Sequence, residues 1–437
     1  MIIDEDILKD GIDEVLLAKL IGKHSLEQER YEKLYNYYIG KHAICERRRS
    51  SDNIANNKIV CNHAKYIVDI AKSYLVGNPV AYSCSDGYDI EAVKNCFAVQ
   101  DMPSLDAEFE KTMSIFGKAY ELVYADEQSQ PKSVCLPPSN TFIVYGAGVG
   151  EIPLYGIHYY KKRDIDGAVT GVCCIVCDRE MIYTYENTAD SFLHMTMTNS
   201  QHHYFGKMPM VEYRNNEEKQ GDFEQMIPLI DAYNILESDR VNDKEQFVDA
   251  FLFLTGIDLD SEQAKKLREE RILMGYEGAA AQYLSKVMSE SDIEVLKDSL
   301  KSDIHRFSMI PDLSDQTFGT NLSGVAIKYK LMGFDQHVRN KERYFTKALK
   351  QRFELYVNFL SLKGAMEYVP IHRIDVVFTR NLPVNELEIS QMVNNLVGIA
   401  SSETLLSQLS FVGDPKEEAQ LAAKEKMLGE KLKYVQE

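Results

Sequence analysis

The feature that most constrains this chain is a helix pattern running from Val325 to about Leu360, interrupted at Gly333. At roughly 1.5 Å per residue such a helix is about 55 Å long, well past the usual length of roughly 8 to 20 residues. A nearly uncharged loop bearing Gly319, Asn321, Ser323 and Gly324 leads into it, so the stretch from Gln316 to Tyr344 reads as a structural spine with a mobile tip. Other domains must be arranged along that spine, because 437 residues are too many for one hydrophobic core.

A formal net charge of -18 argues against a protein that grips nucleic acid by bulk electrostatics, since that grip needs surplus Lys and Arg. It leaves open a surface that a duplex slides past, held by local basic rings. With 45% apolar and 27% charged residues the chain reads as soluble and folded. No apolar run reaches the roughly 18 residues that would span a bilayer. The acidic start MIIDEDILKD makes export unexpected. Eight cysteines without framework spacing point to reduced thiols.

Two helices open the chain, one through Ile12, Val15, Leu16 and Leu20 up to Gly22, and one capped by Ser25 and ended by Gly40. The run Glu46 to Asp52, with Arg47, Arg48 and Arg49, reads as a solvated loop. A helical stripe from Ile59 through His63 to Leu75 stops at Gly77-Asn78-Pro79 before a strand from Val80 to Cys84. His63 lies near the apolar face and reads as a core histidine.

Between Phe109 and Arg214 the pattern is a short helix to Phe116 and then strands over 119–124, 141–145, 154–161, 171–177, 181–186 and weakly 192–198. This is a meandering, largely antiparallel α+β domain. Cys173, Cys174 and Cys177 with His194, His202 and His203 resemble zinc ligands by type, but strand positions three apart face opposite sides and no second CxxC follows. Lys161, Lys162 and Arg163 read as a solvated strand end, and Asn215 to Asp222 as a linker.

Helix returns from Pro228 to Leu254, with the almost wholly polar centre ESDRVNDKEQ. A rod charged around much of its girth should bridge regions or pack narrowly against copies of itself. Ser261 to Arg271 is a helix carrying Lys265, Lys266, Arg268 and Arg271, and a second amphipathic helix spans Asp292 to Phe307. The two long helices would lie antiparallel around a small excursion.

Gly319 and Gly324 stand five apart before a helix, like the frame of a phosphate-binding loop, but Val325 and Ala326 occupy the places of its Lys and Ser or Thr. Nucleotide hydrolysis is therefore not expected. Lys328 and Lys330 are the nearest cations. Beyond Gly333, residues Arg339, Lys341, Arg343, Lys347, Lys350 and Arg352 form a basic flank. A strand over Ile374 to Phe378 should return to the earlier sheet domain. Asn385 with Glu388, and Asp414-Pro415 with Glu417, predict two further helices, and Lys416 to Tyr434 reads as peripheral.

Three stretches, NKIV with YIVD and YLVGNP between Asn57 and Pro79, SDRVNDKEQF from Ser238 to Phe247, and FGTNLSGVAIKY from Phe318 to Tyr329, resemble portal proteins of long-tailed bacteriophages infecting Gram-positive hosts. The resemblance implies a predominantly helical α+β portal fold. It places a wing over 1–228, with the strand 371–380 returning to it, a first stem helix over 229–255, a clip over 256–290 and a second stem helix over 291–313. A tunnel loop over 314–324, a kinked long helix over 325–364 and a helical crown over 385–437 complete it. In this layout the stem motif comprises Ser238, Asp239, Arg240, Asn242, Asp243, Glu245, Gln246 and Phe247. Thr317, Phe318, Gly319, Thr320, Asn321, Leu322, Ser323 and Gly324, with Lys328 and Lys330, face DNA. Lys265, Lys266, Arg268 and Arg271 dock partners, and Gly333 is the kink.

The function implied is a ring of twelve subunits at one capsid vertex, through which double-stranded DNA is packaged and ejected. Its partners would be a terminase, scaffold and major capsid proteins, and head-completion or adaptor proteins, with no cofactor, metal or membrane. It would reside in the virion and, during assembly, in the host cytoplasm. Two alternatives differ in class: another phage head protein, such as a minor capsid protein or head–tail adaptor, and a Cys/His metal-dependent enzyme. The enzyme lacks convergent acid, base or metal groups at suitable spacing, and the other head proteins lack this order of helices and loop.

Overall fold

The computed structural model describes residues 1–8, 11–49, 55–85, 87–248, 251–255, 280–284, 290–314, 324–380, 386–409 and 412–434. The class is α+β. The chain divides into one unit of Met1–Ile39, Ala64–Met226 and His305–Glu437 and another of Gly40–His63 and Ile227–Ile304.

In chain order the elements begin with β1 (Ile2–Ile3), α1 (Glu14–Ser25), α2 (Gln28–Tyr38), α3 (His63–Val76), β2 (Ala81–Cys84), α4 (Glu91–Val99) and α5 (Met102–Phe116). Next come β3 (Lys118–Ala125), β4 (Pro131–Leu136), β5 (Thr141–Gly146), β6 (Pro153–Arg163), β7 (Val169–Cys177), β8 (Met181–Asn187), β9 (Thr196–His202) and β10 (Met210–Arg214). Then follow α6 (Ile227–Val248), β11 (Phe251–Thr255), β12 (Ala280–Leu284), α7 (Glu290–Ser308), α8 (Gly324–Leu362) and β13 (Ile374–Val377). Helices α9 (Glu386–Leu396), α10 (Ser402–Leu406) and α11 (Pro415–Tyr434) end the series.

Side-chain alternation organises the β part of the first unit. Strands β5 to β9 form an antiparallel meander that β1 joins in parallel beside β5. On β7, Val172, Cys174 and Val176 face one core with Leu17, Leu20 and Ile21 of α1. Cys177 faces another, with Tyr120 of β3, Leu136 of β4 and Met210 of β10. The six-stranded sheet is thus covered by α1 on one face and by the sheet β10-β3-β4 on the other. Cys174 and Cys177 consequently belong to different cores, as a three-residue step along a strand requires. Lys161 pairs with Asp190 at 2.7 Å and Lys162 with Glu186 at 2.6 Å, so the basic strand end is neutralised locally.

Several boundaries differ from the sequence reading. Ser25 ends α1 instead of capping α2: its hydroxyl donates to Gly22 O at 2.8 Å. Strand β9 begins at Thr196, because the apolar residues Phe192 and Met195 pack on the core ahead of it. The strand of the 371–380 segment spans Ile374–Val377 and pairs with β2 in a separate two-stranded sheet. Among the described residues three helices follow it instead of two; at the last, Asp414 Oδ1 accepts from Lys416 N and Glu417 N.

The supposed linker 215–222 is a tight turn anchored at its buried ends, Asn215 and Gly221, with Glu217 and Glu218 exposed between them. Its amide Asp222 N donates to Ser114 O at 2.8 Å, and a Cβ on Gly221 would stand 2.3 Å from Ile115 O, so only glycine lets the backbones approach. Nearby, Glu212 sits between Arg214 at 2.5 Å and Lys219 at 3.0 Å. Burial alone would push this carboxyl up, but those cations outweigh it and hold it at about 2. A depressed carboxyl contributes stability that is present above its ordinary value of 4.5 and is lost as pH falls toward about 2. Denaturant titrations from pH 6 to pH 2 are expected to show a shallower acid loss in Glu212→Gln than in the parent chain.

In the second unit α6 and α7 run antiparallel. Glu237 meets Lys297 at 3.8 Å, Arg240 meets Glu294 at 2.7 Å and Lys244 meets Glu290 at 3.0 Å. Strands β11 and β12 pair antiparallel.

Candidate functional site

The spine is α8, which runs from Gly324 to Leu362 without a break. Its stripe Phe334, Val338, Phe345, Leu349, Phe353 and Tyr356 is buried. Phe345 meets Tyr213 of β10 and Phe353 meets Tyr82 of β2, with ring centroids 5.2 and 5.5 Å apart. Two members of the expected basic flank are on this buried stripe. Lys341 stands three residues after Val338, and Arg352 three residues after Leu349, so helical periodicity turns both inward. Arg339, Arg343 and Lys347 remain exposed.

Each buried cation meets two carboxylates. Lys341 Nζ donates to Glu110 Oε1 at 2.6 Å, Ser114 Oγ at 2.7 Å and Asp222 Oδ2 at 2.8 Å. Arg352 donates to Glu121 Oε1 at 2.7 Å and Asp106 Oδ1 at 2.6 Å, with its guanidinium 5.2 Å from the Phe109 ring centroid. Burial pushes Asp106 and Glu110 up, against the pull of Arg352 and Lys341. Burial acts the same way on Asp222, but Lys341 and His337 overcome it and hold that carboxyl far below the usual range. A third tie lies at Asp335, which accepts from Tyr74 Oη at 3.0 Å, Arg339 Nε at 2.6 Å and Arg380 Nε at 3.2 Å.

Lys328, Tyr329 and Lys330 are exposed, and Tyr329 keeps 73% of its surface. The interruption expected at Gly333 is not a break in the helix, and a Cβ there would meet nothing within 4 Å. Gly324 is the first residue of α8. Thr317, Phe318, Gly319, Thr320, Asn321, Leu322 and Ser323 lie outside the described residues, as do Lys265, Lys266, Arg268, Arg271 and Asn385.

The polar centre of α6 makes a set of contacts within its own unit, to the stretch 47–61. Asn57 N donates to Asn242 Oδ1 at 2.7 Å, Ile59 N to Ser238 Oγ at 3.0 Å and Cys61 N to Asn234 Oδ1 at 2.8 Å. The match is geometric: two extended residues advance about 6.6 Å and four helical residues about 6 Å. Asp239 Oδ1 accepts from Arg47 at 2.8 Å and Arg49 at 2.7 Å, so these arginines belong to a clamp and not to a solvated run. Glu245 accepts from Asn57 Nδ2 at 2.8 Å, and Arg240 joins Glu294 on α7. Asp243 is half-buried, and the side chains of Gln246 and Phe247 lie outside the described residues. Two of the stretches singled out in the sequence are therefore halves of one contact. Asn242→Ala is expected to cost about 1–3 kcal/mol, because it strands a buried amide, and chemical denaturation measures it.

A long helix rooted by buried ion pairs, a polar helical hairpin and a two-core β region define an α+β protein; no group of three or more His, Cys, Asp or Glu is poised for a metal among the described residues. The chain belongs to the family described as phage portal protein, SPP1 Gp6-like, whose model matches residues 17–428. It is 25% identical over 433 residues to the portal protein of Bacillus phage SPP1, covering 93% of this chain and 85% of that protein. It is 22% identical over 448 residues to the portal protein of Clostridium phage phiCD119, covering 94% and 96%. Membership makes this a phage portal protein, a virion component of a structural family whose members form a capsid-associated oligomeric ring. No described helix is long and apolar enough to cross a membrane.

Proposed function

We propose that twelve copies of this chain ring a channel at one capsid vertex, through which double-stranded DNA enters during packaging and leaves during ejection. The observation that carries this reading is the family match over residues 17–428. The form of α8 supports it: a base tied down by Lys341 and Arg352, with Lys328 and Lys330 exposed in its early turns. The loop 314–324 and these turns would line the channel. Asn and Thr side chains there contact phosphates weakly and without fixed register.

In the same reading 1–228 with 371–380 is the wing, α6 and α7 are the stem, and 256–290 is the clip, where Lys265, Lys266, Arg268 and Arg271 meet a terminase and later head-completion or adaptor proteins. The residues 385–437 form the crown. Scaffold and major capsid proteins surround the ring, and assembly takes place in the host cytoplasm. Negative-stain images of purified protein are expected to show rings with a central channel wide enough for duplex DNA. A monomer at every concentration would count against the reading.

Gly333 is the proposed hinge of the channel helix in the assembled state. Gly333→Ala is expected to raise subunit stability by up to about 1 kcal/mol while lowering packaging. Unchanged packaging with the stability gain would remove the hinge role.

A further inference from the structure

Strand β9, Thr196–His202, closes one side of the six-stranded sheet, pairs among the described residues only with β8, and is exposed at all seven positions. No residue of β9 belongs to the core beneath the sheet, which ends at Tyr185 of β8 and at Met195 just before β9. His203 N donates inward to Glu180 O. Alternation then turns the Gln201 amide inward and the Ser200 and His202 amides outward, where β9 has no strand partner.

Open edges of this kind are normally blunted by charge, proline or a bulge. The strand TMTNSQH carries no acid, lysine, arginine or proline. Its register shift lies between Thr184 and Tyr185, leaving Asn199 to His202 regularly paired with β8. Two other edges differ. On β4, Ser133 N donates to Gln100 Oε1 at 2.8 Å, and Gln100 Nε2 donates to Pro131 O at 3.0 Å. On the far side of the large sheet, β1 is two residues long.

We propose that the outer edge of β9 adds a strand from a second copy of this chain in the assembled ring. Charge selects that occupant: copies of net charge -18 repel one another, and an edge without carboxylates is where two can approach closely. A ring also holds a neighbour at high effective concentration. The contact is head-to-tail, so a different segment of the neighbour fills the edge. The proposal rests on the ring reading.

Hydrogen exchange with residue-level fragmentation, on purified rings and on dissociated subunits, tests it. The Ser200 and His202 amides are expected to exchange on the order of 100-fold more slowly in the ring, with Gln201 protected in both. Equal exchange at Ser200 and His202 in intact rings would overturn the proposal and leave the ring reading standing. Protection that appears in virions but not in purified rings would assign the edge to another protein and overturn it too. Failure to form rings at any concentration would remove both readings. Ser200→Pro deletes only an outward amide and is expected to abolish ring assembly, whereas Ser200→Ala assembles like the parent. If the proline variant does not fold, the exchange data on the unaltered chain still decide.

Discussion

Replacing Arg352 with alanine is expected to cost about 3–5 kcal/mol of folding stability. The guanidinium is fully buried, and its removal leaves Asp106 and Glu121 facing each other without a cation. It also empties the space beside Phe109 and Tyr213, whose rings stack 4.4 Å apart. Chemical denaturation measures the loss. A triple variant, Arg352→Ala with Asp106→Asn and Glu121→Gln, is expected to regain more than half of it, because neutral groups remove the uncompensated charge. A triple variant no more stable than Arg352→Ala would show that packing, not charge, sets the cost.

Lys341→Met is expected to cost a comparable amount, about 3–5 kcal/mol at neutral pH, since Glu110 and Asp222 would then share a buried site with no full cation. The pH dependence separates this cause from lost packing. In the parent chain Asp222 is held far below its ordinary 3.8, so its contribution is present above that value and is lost as pH falls through it. Without Lys341 burial dominates both carboxyls and raises them, so the folded variant binds protons more readily than the unfolded one. Its stability then rises as pH falls from neutral toward about 4.5. The deficit relative to the parent is expected to shrink over that range in denaturant titrations. A constant deficit would rule out the charge explanation.

A basic flank defined by residue type alone conceals the inward turn of both residues, although Val338, Lys341, Phe345, Leu349, Arg352 and Tyr356 follow one another at steps of three and four. That spacing is a signal for burial stronger than side-chain charge. Their partners were not recoverable in the same way. Asp106 and Glu110 lie on α5, Glu121 on β3, and Asp222 in a turn that composition marks as a linker. Nothing in local periodicity brings these groups more than a hundred residues along the chain to α8. The contacts of the α6 polar centre are hidden in the same way, because its partners are backbone amides at Asn57, Ile59 and Cys61, and a sequence shows no sign of which amides lack a partner.

What the sequence determined by itself was local and periodic: the length of α8, the meander β5 to β9, the separation of Cys174 from Cys177, and the three stretches that resemble portal proteins. These follow from repeats of 3.6 and 2 residues and from short-range turn chemistry, which neighbouring residues dictate. Only the tertiary structure decided which charges are buried, that residues 215–222 are packed, and that β9 stands open at the edge of its sheet. Those depend on desolvation and pairing between distant segments, where a lysine on a helix is a surface group or a core anchor according to which carboxylates the fold sets beside it.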